Sequence, residues 1–200
     1  MLRTTLALLA LTFAGSVLAQ DAKPRVSLKT NQGEIIVELD PAKAPVSVEN
    51  FLGYVQSGFY DGTIFHRVID NFMIQGGGYT TELKPKGPLR QAIQNEADNG
   101  LSNARGTLAM ARTMDPHSAT SQFFINVVDN KALDHVSKAD GRSWGYAVFG
   151  KVVSGMEVVD KIKGLPTAAF SAEFQNLPRP YVVLEKATVI EAAADAKPAG

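Results

Sequence analysis

The chain of 200 residues is long enough for one full hydrophobic core and short for two domains, so a single domain with tails is expected. Its 20 basic and 20 acidic side chains cancel, which gives no support to nucleic acid or an anionic membrane surface as a partner. The lack of cysteine removes disulfides, thiolate nucleophiles and sulfur-ligated zinc, and the three histidines, His66, His117 and His135, stand at no helical metal-ligand spacing, so neither metal nor cofactor is expected.

Met1 to Gln20 combines a basic Arg3, an apolar run from Leu6 to Leu18 and the ending Val17, Leu18, Ala19, the pattern of a secretory signal cleaved after Ala19. The run is short for a membrane span, with an uncleaved anchor as the alternative reading. No cysteine follows the cleavage site to accept a lipid, so the mature chain is expected to be soluble outside the cytoplasm, with no stable membrane insertion. The expected organisation is a signal over 1–19, a linker over 20–25, one domain over 26–190 and a flexible, Ala-rich tail over 191–200.

Val26 to Thr30 and Glu34 to Asp40 flank Asn31, Gln32 and Gly33, which reads as a hairpin; Ile35, Val37 and Leu39 fall on one face of its second strand. From Pro45, the residues Val48, Phe51, Leu52 and Val55 recur at helical spacing, with Ser57 and Gly58 at the end. A turn at Asp61 and Gly62 leads into the stretch from Phe65 to Thr80, FHRVIDNFMIQGGGYT. Strict alternation there puts Phe65, Arg67 and Ile69 on one face and His66 and Val68 on the other. Lys84 to Pro88 and Asn95 to Gly106 read as loops, Gly106 to Arg112 and Gln122 to Val128 as short strands, and Thr113 to Ser121 as a small polar loop between them. After a loop from Asp134 to Trp144 come a strand from Tyr146 to Val153 and a short helix from Gly155 to Lys163 with Val158, Val159 and Ile162 on one face. Leu165 to Pro180, with three prolines, is expected to be irregular, and Tyr181 to Ile190 to be a strand. Many short strands with two helices predict a mainly β fold, a closed antiparallel sheet flanked by helices.

The chemistry is limited by what is missing. Gly76, Gly77 and Gly78 lack the lysine and following helix of a phosphate-binding loop, and are better explained by close backbone approach. Ser118, Ser121 and Ser143 sit in no nucleophile elbow, and Glu96 and Asp98 lack the apolar setting of a glycosidase acid. What remains is a set of apolar, amide and guanidinium groups: Arg67, Phe72, Met73, Gln75, Gln122 and Phe124. Arg67 is open to two readings, a five-donor fork in a cleft beside Phe72, Met73 and Gln75, or a surface arginine on an edge strand.

FHRVIDNFMIQGG resembles the arginine-bearing motif of the cyclophilin peptidyl-prolyl isomerases; TSQFFIN and GYAVFGKVVSGMEVVDKI resemble their second signature and their closing strand and helix. The similarity runs from about Val26 to Ile190, and GYAVFG and FQNLPRP look most like the periplasmic bacterial branch. The resemblance implies an eight-stranded antiparallel barrel capped by two α-helices. It implies rotation about X-Pro bonds in unfolded or partly folded polypeptides, with Arg67, Phe72 and Gln75 catalytic. Met73, Phe124 and Leu133 would line the proline pocket, and Ala111, Arg112, Gln122 and Tyr146 would complete the peptide site. Ala132 stands where eukaryotic members usually have tryptophan and Tyr146 where they have histidine, which implies weak cyclosporin binding; Arg112 and Met114 also depart from the small or amide residues common there. A proline-peptide-binding chaperone or scaffold is the rival reading. A monomer is the default, since no heptad or long exposed apolar strand is present.

Overall fold

The computed structural model describes residues 23–190; the expected signal, the first residues of the linker and the C-terminal tail lie outside them. The linker ends one residue earlier than expected, because Arg25 is already the first residue of β1, Arg25–Thr30, and its guanidinium grips Glu38 of β2, Gly33–Leu39. These two strands form the expected hairpin, with Val26 opposite Val37, and Ile35, Val37 and Leu39 are fully buried.

Six more strands follow: β3 (Thr63–Ile69), β4 (Met73–Thr80), β5 (Thr107–Met110), β6 (Phe123–Asn126), β7 (Val148–Ser154) and, at the end of the domain, a long strand Val182–Ile190. Between the last two lie α2 (Met156–Lys163) and two short strands, β8 (Thr167–Ala168) and β9 (Leu177–Pro178), which make the long strand β10. The eight close antiparallel in the order β1-β10-β3-β4-β6-β5-β7-β2. Closure leaves the barrel no unpaired edge to template association.

The interior is aromatic. Phe51 of α1, Pro45–Gln56, sits 5.2 to 5.3 Å from the rings of Tyr60, Phe123 and Phe149. Truncating such a ring to alanine costs about 3–5 kcal/mol through lost burial and the cavity left behind. The inward face of α1 is Val48, Phe51, Tyr54 and Val55, while Leu52, expected on the stripe, is half-buried at its flank. On α2, Val159 and Ile162 are fully buried and Val158 packs at the margin, against Gly33.

Pro45 occupies the first turn of α1, as expected, but Ala44 before it supplies no side-chain cap. The carboxylate of Glu96 does so from the Asn95 to Gly106 loop, accepting from the backbone N–H groups of Val46 (2.9 Å) and Ser47 (2.8 Å) and from the Ser47 hydroxyl (2.7 Å). An anion here satisfies two of the orphan donors at the helix start and complements its dipole. The Leu165 to Pro180 stretch is less irregular than expected: β8 and β9 pair, and Leu177 and Phe174 cover Ile64 on the outside of β3.

Strict alternation fails in β3. Phe65 pairs with Gly76 and Arg67 with Gln75, two residues against one, so His66 is the extra residue of a β-bulge. Phe65 and Val68 therefore both point into the barrel core, whereas Arg67 and Ile69 stand on the outer face with Met73 and Gln75. The expected sharing of one face by Phe65 and Arg67 is corrected by that bulge. On β4 the three glycines serve close approach: a Cβ on Gly76 would meet Phe65, one on Gly78 would meet the Gln122 side chain, and Gly77 has φ +82° beside the Ser121 carbonyl.

Candidate active site

Outside the barrel wall, β3, β4, β5 and β6 present Ile69, Met73, Ala109 and Phe124 as an apolar floor, which Phe72, Leu101, Ala111, Leu133, Tyr146 and Val148 extend. Over it lies a cavity of about 250 Å³ lined by Arg67, Phe72, Met73, Gln75, Ala111, Arg112, Phe124, Leu133 and Tyr146. Nine of the ten residues singled out from the sequence thus surround one space. The tenth, Gln122, lines an adjoining cavity of about 170 Å³ with Gln75, Ala111, Arg112, Thr113, Ser118 and Thr120. A cavity of similar size, about 220 Å³, lies between Leu39, Leu101, Val148 and the Lys23–Asp40 ion pair, but it collects neither the amides nor the arginines that could grip a peptide.

The two arginines of the cavity differ in what already occupies them. Arg67, half-buried, has its Nη1 3.4 Å from Gln75 Oε1 and 4.0 Å from the Met73 sulfur, with its guanidinium carbon 5.8 Å from the centre of the Phe72 ring. Among the described residues it joins no ion pair, so most of its five donors remain available. Gln75 is held in turn, its Nε2 donating to Gln122 Oε1 at 2.9 Å. Arg112 is spent on the protein: Nε and Nη2 donate to the Gly145 carbonyl, Nη2 also to Gly141 O at 2.6 Å, and Nη1 to Thr113 O. Its guanidinium lies 4.4 Å from the centre of the Tyr146 ring, and that ring stands edge-on to Phe124 at 5.7 Å. Arg112 is therefore a clamp on the 141–146 segment.

Both charged lining residues are cations, in a chain whose formal charge is zero. Next to Arg67, His66 is buried against Tyr79 (4.7 Å) and Phe174 (6.2 Å). Burial, with a smaller contribution from the Arg67 charge, lowers its pKa to about 4, so it is neutral at pH 7. Tyr79 is pushed up to about 12, first by burial and then by its hydrogen bond to Glu173.

The discarded chemistries look no better in three dimensions. Ser143 bonds Ser137 and Asp140, Ser118 bonds Thr113 and Asp115, and Ser121 is buried; no histidine partners any of them among the described residues. Glu96 caps α1 and Asp98 pairs with Lys138. Trp144 anchors a loop, with His117 and His135 edge-on at 4.9 and 5.6 Å and Lys138 over its ring.

Sequence reasoning missed the hydroxyls of Thr113, Ser118 and Thr120, read only as a polar loop, and the clamp made by Arg112. Asn126, which alternation in FFIN puts on the same face as Phe124, lines neither cavity.

A family model described as cyclophilin type peptidyl-prolyl cis-trans isomerase/CLD matches residues 25–189. The peptidyl-prolyl cis-trans isomerase cyp18 of Streptomyces antibioticus is 58% identical over 165 residues, 82% of this chain and 98% of that protein. The peptidyl-prolyl cis-trans isomerase A of Dickeya dadantii is 50% identical over 190 residues, 95% of this chain and 97% of that one. Among solved structures, a cyclophilin type isomerase of Cryptosporidium parvum, crystallised in the presence of the dipeptide Ala-Pro, superposes with a TM-score of 0.68 at 26% identity over 84% of this chain and 99% of that chain.

Proposed function

Since the chain belongs to the cyclophilin-type peptidyl-prolyl cis-trans isomerases, we propose that it turns X-Pro bonds of exported polypeptides through Arg67, without any covalent intermediate. The observation that carries the mechanism is the pairing of a guanidinium with open donors and a cavity of about 250 Å³ over an apolar floor, in which no carboxylate or histidine stands among the described lining residues.

Amide resonance sets a barrier of about 18–20 kcal/mol to rotation, and an uncatalysed prolyl bond takes roughly tens to hundreds of seconds to isomerise. Reaching on the order of a thousand turnovers per second requires lowering that barrier by about 7 kcal/mol. Two parts of the site supply it. Phe72, Met73, Phe124 and Leu133 hold the proline ring while Gln122 and the backbone around Ala111 and Arg112 hold the flanking peptide, so the site fits the twisted amide better than either planar form. Arg67, oriented by Gln75, donates to the carbonyl oxygen or the pyramidal nitrogen of the rotating bond and stabilises the charge that localises as resonance is lost.

The export reading rests on the Met1 to Ala19 pattern and on the wording of GYAVFG and FQNLPRP; the 95% coverage by the Dickeya dadantii relative also requires that alignment to enter the leader. In this reading the mature protein works in the periplasm, as a monomer, on unfolded or partly folded chains. Ala132, exposed and outside the cavity lining, offers no indole where cyclosporin would need one, so inhibition is weak.

The test is magnetisation exchange between cis and trans forms of an Ala-Pro peptide, with and without the protein. Catalysed exchange is expected; binding without exchange would leave only a peptide-binding module. Fractionation and N-terminal sequencing of the expressed chain should find it in the periplasm beginning at Gln20.

A further inference from the structure

Behind the cavity, three asparagines form a chain of side-chain amides that points one way. Asn130 Nδ2 donates to Asn126 Oδ1 at 2.7 Å, Asn126 Nδ2 donates to Asn103 Oδ1 at 3.2 Å, and Asn103 Nδ2 donates onward to the carbonyls of Leu133 (3.2 Å) and Tyr146 (3.3 Å). At its other end Asn130 Nδ2 also reaches the carbonyl of Phe72 at 2.8 Å. Asn103 and Asn126 have no solvent exposure, and Asn126 lies opposite Met73 in the β4–β6 pairing, directly beside the apolar floor. Asp134 fixes the far end by accepting from the Asn103 backbone (2.7 Å) and side chain (3.0 Å) and from Ser102. Burial alone would raise that carboxyl's pKa, but these donors outweigh it and hold the group below the usual range.

The three carbonyls belong to Phe72, Leu133 and Tyr146, all outside the strands: Phe72 comes from the turn between β3 and β4, while Leu133 and Tyr146 are joined by a backbone hydrogen bond of 2.9 Å and line the cavity as a pair. No strand pairing spans from the Phe72 turn to the Leu133–Tyr146 pair among the described residues, and a buried chain of satisfied amides is stiff because each bond polarises the next. We propose that Asn126, with Asn103 and Asn130, is the positioning element that sets the width of the proline-binding cavity. None of the three touches the substrate in this account; they act through the backbone of residues that do. The proposal rests on the functional reading above, since it concerns the same cavity.

The chemical consequence is specific. Arg67 and Gln75 are placed by β3 and β4 and do not depend on the amide chain. Loosening the chain therefore weakens the grip on the proline ring more than it slows rotation of a bound peptide. In the Asn126→Leu variant, similar in size but unable to pass the bond on, KM for an Ala-Pro peptide should rise about tenfold while kcat stays within about twofold. The Asn130→Ala variant, at the half-buried end of the chain, should fold without difficulty and raise KM about threefold to fivefold. Ile162→Ala on α2, buried but remote from the cavity, controls for lost stability and should leave KM unchanged. Backbone amide shifts of Phe72, Leu133 and Tyr146 should move in both asparagine variants and not in the control.

Folded Asn126→Leu and Asn130→Ala proteins with wild-type KM would overturn the proposal, as would a KM rise in Ile162→Ala equal to theirs. An inactive wild-type protein that binds no Ala-Pro peptide would instead overturn the functional reading, so the two failures are separable.

Discussion

The two sides of the cavity are built differently. Arg67, Gln75, Met73 and Phe124 stand on β3, β4 and β6, whose ladder fixes their spacing, while Leu133, Arg112 and Tyr146 lie outside the strands and are held by side chains: the Arg112 clamp and the asparagine chain. The strand side carries the one guanidinium with open donors; the loop side carries a guanidinium whose donors are consumed by Gly141, Gly145 and Thr113. The difference teaches how labour is divided. In the proposed function, the group that acts on the rotating bond is mounted on the rigid ladder, and the groups that admit and hold the peptide are mounted on tethered loops.

The strongest test of that division is removal of the open guanidinium. Arg67→Ala should lower kcat/KM by about 100-fold to 1000-fold in a protease-coupled assay, the size of effect seen when one preorganised donor to a transition state is lost. Next in size is the support behind the strand side. His66 titrates near 4 folded and 6.5 unfolded, so above pH 6.5 it costs nothing, and as pH falls from 6.5 to 4 the unfolded chain takes up a proton that the folded one refuses. Stability should therefore drop by roughly 3 kcal/mol over that window. Urea titrations at several pH values should show the loss, and His66→Gln should flatten it whatever its stability at pH 7.

On the loop side the effects should be smaller and fall on binding. Tyr146→Ala removes a wall that packs edge-on to Phe124 and should raise KM about tenfold with kcat little changed. Arg112→Gln frees the 141–146 segment and should raise KM about threefold, measurable by peptide titration. Equal losses of kcat in the Arg67 and Tyr146 variants would break the division.

Much of this was legible in the sequence, for reasons that differ by residue. The hairpin and the inward face of α1 follow from alternation and helical spacing, because the core demands apolar side chains at one period. The lining residues were legible through family-like motifs, and their gathering around one cavity is a matter of geometry that the chain order does not reveal. Alternation misplaced Phe65 relative to Arg67, since a bulge at His66 leaves no mark in the hydrophobic pattern. Glu96 looked idle because the Val46 N–H it caps lies 50 residues earlier, and Arg112 because its partners are carbonyls, which every residue carries.

The central claim is that Arg67 lowers the barrier of a bound amide. It is tested most directly by the on-enzyme rate of cis–trans interconversion, read from NMR line shapes of an isotope-labelled Ala-Pro peptide at saturation. Arg67→Ala should slow that rate about 100-fold or more while the dissociation constant stays within about threefold. Interconversion at the wild-type rate in the saturated Arg67→Ala complex would contradict the account.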